Sequence, residues 1–90
     1  MDHPEQDKLR ILILDDHAAV RLAMRQIILA ERVGPMQFKE GNAGPEGLDL
    51  ALGQAWDLVI IREGIEALAD LKKMRPDQLI LALNVPGAEG

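Results

Sequence analysis

Ile11-Leu12-Ile13-Leu14-Asp15-Asp16-His17 is the stretch that decides the fold of this chain. Four branched aliphatic residues follow one another without a polar break and stop at two carboxylates. A short continuous apolar run of this kind reads as a strand buried on both faces. Acidic groups just past its end stand where open α/β sheets place their ligands, beyond the carboxyl ends of the strands. The pattern then changes period at once. Val20, Met24, Ile27, Ile28 and Leu29 recur at three- and four-residue spacing, and Arg21, Arg25, Gln26 and Glu31 fall mostly on the other face. The stretch therefore predicts a strand over 9–14 and a helix from His17 to about Arg32, stopped by Gly34-Pro35.

Working outward, Met36 to Glu40 is a short, more polar run that suits an edge strand. Gly41-Asn42-Ala43-Gly44-Pro45 is a turn, with Pro45 placed as the first residue of a helix. Leu48, Leu50, Ala51 and Leu52 continue that helix for about ten residues, and Gly47 lets it approach the sheet closely. Trp56 to Ile61 reads as a second buried strand. After the brief connection Arg62-Glu63-Gly64, the residues Ile65, Leu68, Leu71 and Met74 mark a third helix that ends before Pro76. Gln78 to Leu83 is a last apolar strand. The order βαβαβαβ implies a parallel sheet with helices on its faces and right-handed crossovers.

Composition narrows the function classes. The chain has 90 residues, enough for one small domain with a modest core. Hydrophobic residues make up 48% of it, which argues against disorder. Trp56 and Phe38 are its two aromatic residues, so the core is aliphatic. The net charge of −5 argues against nucleic-acid contact by this segment. There is no cysteine, which fits a reducing compartment. There is also no Ser, Thr or Tyr, so no hydroxyl or thiol nucleophile exists. No apolar stretch is long enough to cross a bilayer, and the polar start lacks the apolar core of a signal peptide. The expectation is a cytoplasmic protein with no membrane contact, a flexible start at 1–8, a folded unit at 9–84 and a tail at 85–90.

Ile11 to His17 followed by Val20-Arg21, the turn Glu40 to Leu48, Asp57 to Ile61 and Leu79 to Leu83 resemble, in that order, bacterial two-component response-regulator receiver domains, particularly those that precede a helix-turn-helix output domain. The resemblance implies a flavodoxin-like, CheY-like three-layer αβα fold. Here it would have four parallel strands in the order 2-1-3-4 and would lack the last βα unit, with the first helix on one face and the other two on the opposite face. In that family the acidic pair holds Mg²⁺, an aspartate ending the third strand accepts a phosphoryl group, a Ser or Thr ends the fourth strand and a Lys ends the fifth. Asp15 and Asp16 carry over onto the acidic pair. Arg62 stands at the phosphoacceptor position, and Asn84 stands at the Ser or Thr position. The resemblance thus argues for the fold and against the family's phosphorylation chemistry. It points to a degenerate, truncated receiver that is not an enzyme.

The individual residues allow several readings. Asp15 and Asp16 would keep at most a weak Mg²⁺ site, since Mg²⁺ needs a fuller set of oxygen ligands. Otherwise one caps the first helix and the other pairs with a cation. Arg62 comes off a neighbouring parallel strand at the same end of the sheet. Its guanidinium would serve as an internal counter-ion to the acidic pair in place of a metal, or would point to solvent. Glu63 stands one position too late to mimic a phosphorylated aspartate. His17 reads as a helix-start residue. Leu79, Ile80, Leu81, Ala82 and Leu83 form an apolar edge, and long apolar edges are normally paired, covered or charged. A second copy of the chain is the expected cover, giving a homodimer through the fourth strand, with a different protein partner as the alternative. The function so implied is a receiver-like module that acts by protein association without phosphorylation and without a cofactor. The alternatives are the N-terminal fragment of a longer response regulator with a DNA-binding output domain and, last, a phospho-accepting receiver with a residual Mg²⁺ site.

Overall fold

The structure, a computed structural model, describes residues 8–32, 34–62 and 65–83. Its elements are β1 (Leu9–Leu14), α1 (Ala18–Ala30), β2 (Met36–Gly41), α2 (Pro45–Gly53), β3 (Leu58–Arg62), α3 (Glu66–Met74) and β4 (Ile80–Leu83). The four strands form one sheet in the order β2-β1-β3-β4, and every pair is parallel. This is the expected αβα arrangement, with four strands and three helices among the described residues. Asn84, Glu63, most of the polar start and the tail lie outside them.

Alternation along the central strands builds two cores. Leu12 and Leu14 of β1 and Val59 and Ile61 of β3 face α2 and α3, where Ala51, Ala67 and Leu71 are buried with them. Ile11, Ile13 and Ile60 face the other way, onto Val20, Met24 and Ile28 of α1. Each fully buried aliphatic side chain contributes about 1.5–3 kcal/mol, so the β1–β3 pair carries much of the fold's stability. The expected distribution of helices over the two faces is the one found.

Local chemistry moves three boundaries. The first helix stops at Ala30 because Arg32 adopts a left-handed backbone (φ 52°). The amides of Glu31 and Arg32 donate to the carbonyls of Ile28 and Leu29, closing the last turn tightly. The third strand starts at Leu58 and not at Trp56. The Trp56 indole Nε1 donates to the Leu50 carbonyl (3.1 Å), and Asp57 turns its carboxylate to the Arg10 amide (2.7 Å). The fourth strand starts at Ile80, after a turn in which the Gln78 amide donates to the Arg75 carbonyl and the Gln78 side chain donates to the carbonyls of Trp56 and Leu79. Trp56 and Arg75, whose Nη2 reaches the Leu52 carbonyl at 2.7 Å, also satisfy carbonyls at the end of α2.

The cover of the sheet is uneven. On the α1 side, Arg21 and Arg25 lean over β2, where both reach the Glu40 carboxylate. Ile27 lies on the opposite flank of the helix by its angular position, and it is 52% exposed. That flank borders β3 and β4, where Leu79 and Leu81 remain exposed. No described helix covers β4 on this side.

Candidate functional site: an acidic pair closed by arginine

Register and alternation bring the candidate residues together. Leu14 is level with Ile61 in the β1–β3 ladder, so Asp15 and Arg62 are each one step past a paired position. Both continue the side-chain direction of Ile13 and Ile60. Asp15 is fully buried, and Arg62 is 16% exposed. The Arg62 Nε lies 3.1 Å from the Asp15 Oδ2. That is an ion-pair distance, yet Oδ2 receives no aligned hydrogen bond among the described residues. The attraction is therefore Coulombic rather than that of a well-directed N–H donor.

The second oxygen of Asp15 is tied locally. Oδ1 accepts from the His17 backbone N–H at 2.9 Å and lies 3.1 Å from His17 Nδ1. This is an Asx-type turn leading into α1. His17 is the N-cap residue, but its own side chain does not cap the helix. Asp16 points the other way and is exposed. Its Oδ1 accepts from the Ala43 N–H at 2.9 Å, which pins the β2–α2 turn to the end of β1. The two carboxylates therefore serve different ends, since Asp15 meets the arginine and Asp16 holds a loop.

Arg21 joins this site without having been singled out by the sequence. Its Nη1 donates to the Asp15 carbonyl and its Nε to Glu40 Oε1 at 2.9 Å. It links β1, α1 and β2 at one end of the sheet. The signal for it was its place one turn into the helix, six residues after Asp15, where a long side chain leans back toward the helix start. Among the described residues, no group of three or more His, Cys, Asp or Glu side chains converges as a metal site would require. No described helix is long and apolar enough to cross a membrane. Among the described residues, Leu79 to Leu83 stands at the edge of the sheet, as the sequence suggested, with Leu79 and Leu81 exposed and Ile80, Ala82 and Leu83 half-buried.

No protein-family model matches the chain, and no solved structure matches it. Two curated proteins do resemble it. A protein of Pseudomonas aeruginosa named "Putative transcriptional regulator" is 38% identical over 80 residues, covering 82% of this chain and 38% of that protein. The "Nitrate/nitrite response regulator protein homolog" of Haemophilus influenzae is 31% identical over 90 residues, covering 93% of this chain and 43% of its own length. The chain spans about two fifths of the length of each. It is therefore similar, along most of its own length, to part of two bacterial proteins named as regulators.

Proposed function

We propose that this chain is an atypical receiver-like module of bacterial two-component or transcriptional regulation, and that it works by protein association without accepting phosphate. The regulator names of its relatives support the coarse part of this reading. The observation that carries the finer part is the 3.1 Å approach of Arg62 to the buried carboxylate of Asp15. A guanidinium there supplies the positive charge that a divalent metal would otherwise bring to the acidic pair. It also puts at the phosphoacceptor position a side chain that cannot take a phosphoryl group in the way a carboxylate does. Asp15 and Asp16 alone supply too few oxygens for a strong Mg²⁺ site. The alternative, a segment of a longer regulator with a DNA-binding output domain, takes its support from the greater length of the relatives. The experiment is incubation with acetyl phosphate and Mg²⁺, read by intact mass and by amide NMR shifts. The expected result is no mass gain and no Mg²⁺-dependent shift at Asp15 or Asp16. A covalently phosphorylated chain would overturn the reading.

The associating surface in this proposal is the β4 edge with its exposed Leu79 and Leu81, and its partner is a second copy of the chain. Light scattering after size exclusion is expected to show a dimer, and Leu81→Lys should shift it to monomer. A wild-type monomer at all concentrations would remove self-association from the proposal.

A further inference from the structure

A second surface lies at the opposite edge of the sheet. A groove of about 560 Å³ runs between β2 and α2. Its floor carries Arg10 and Lys39, which alternation places on the α2 side with Gln37, the register partner of Arg10. Its wall carries Glu46 and Asp49, three apart on one face of α2. Trp56 lines the groove as well. Two cations thus face two carboxylates across an open channel.

The backbone beside the channel has a definite polarity. The carbonyls of Pro35 and Gly41 both turn inward, accepting from the amides of Leu9 in β1 and of Asp15 just past its end. Main-chain direction alternates along a strand, so Met36, Phe38 and Glu40 turn their N–H and C=O groups outward. Among the described residues, no strand lies on that side of β2. The Glu40 carboxylate is held on the other face by Arg21 and Arg25, so it does not screen the edge from the groove side.

We propose that the groove beside β2 binds an extended peptide, which adds to the sheet through the outward main chain of Phe38 and sets side chains of mixed charge against Lys39 and α2. Main-chain bonds of this kind supply affinity, and alternate side chains supply selectivity. An added strand points every second side chain toward the groove, beside Lys39 and within reach of the Glu46 and Asp49 wall. One acidic and one basic side chain two residues apart match that lining. Cross-strand charge pairs contribute modestly, so the main-chain bonds dominate. This surface is separate from the β4 edge and does not depend on it.

The chain has one tryptophan, so Trp56 emission reports occupancy of the groove. The probe is a blocked octapeptide of threonine alternating with Glu and Lys in turn, titrated into the full chain. A saturable change in Trp56 emission below about 1 mM is expected, together with movement of the Phe38 amide signal. The same peptide with proline at its two central positions should bind at least tenfold more weakly, because proline cannot donate to an edge. Lys39→Glu should weaken binding severalfold while leaving the melting temperature unchanged. Absence of a saturable response, equal binding of the proline peptide, or a Trp56 response without movement of Phe38 would each overturn the proposal.

Discussion

Replacing Gly47 by alanine is expected to lower the melting temperature by roughly 10–20 °C, from an overpacking cost of about 2–3 kcal/mol in a domain of this size. Two effects compete, and their sizes decide the sign. Gly47 sits inside α2, where alanine is better than glycine by about 1 kcal/mol. Its backbone is not left-handed, so no strain opposes the change. However, a Cβ built there would lie 1.8 Å from the Asn42 carbonyl oxygen and 3.0 Å from Leu14 Cδ2. The first obstacle is backbone, in a turn already pinned by the Asp16 to Ala43 bond. It cannot move without breaking that bond or lifting α2 off the sheet. Gly53→Ala is the control, because nothing lies within 4 Å of its Cβ. That variant should hold or gain stability. Thermal melts of the two proteins make the comparison, and a Gly47→Ala loss below about 3 °C would show that the turn yields cheaply.

The second large effect is expected at Arg62. Arg62→Met leaves the Asp15 carboxylate fully buried without its cation, and breaking a buried pair from one side costs about 3 kcal/mol. Asp15→Leu should cost less, since Arg62 is partly exposed and its guanidinium can turn to water. That variant also gives up the bond from the His17 amide, about 1 kcal/mol. The double variant should recover most of the Arg62→Met loss, because an apolar pair of similar volume needs no desolvation. Urea unfolding of the four proteins yields the coupling energy directly. A coupling above about 1 kcal/mol is expected. A single Arg62→Met variant as stable as the wild type would mean that the 3.1 Å contact contributes nothing to the fold.

The fold was largely legible because its governing signals are local and strong. The run Ile11 to Leu14 and the run Val59 to Ile61 lack polar breaks, and Pro45 and Gly34-Pro35 punctuate the helices. The ladder register then follows from burial, and with it the meeting of Asp15 with Arg62. What the sequence did not show depends on long-range polar contacts. Trp56 and Gln78 look like strand residues by composition, yet both lie just before their strands, where their side chains bond to main-chain carbonyls elsewhere and the Gln78 amide closes a turn onto Arg75. From the sequence, one carboxylate was expected to meet a cation and the other the start of α1, but the contact of Asp16 with the β2–α2 turn was hidden. That contact is fixed by the inward position of Ala43. The expectation that one carboxylate would cap α1 gave way to a turn one step earlier. The Gly47 contact with Asn42 was anticipated only in kind, as a close approach.

The parallel ladder has a consequence for how the chain is made. β1 is paired on one side with Met36 to Gly41 and on the other with Leu58 to Ile61. None of its partners is a hairpin neighbour. While the polypeptide emerges in order from a ribosome, Ile11 to Leu14 gain a first partner only after α1 and β2 have appeared. They gain the second only when β3 has followed. Parallel pairings close long loops before they are rewarded, which slows folding. Until then the most apolar segment of the molecule faces water or a neighbouring nascent chain, and the opening stretch that organises the finished sheet is also the one most exposed to premature association.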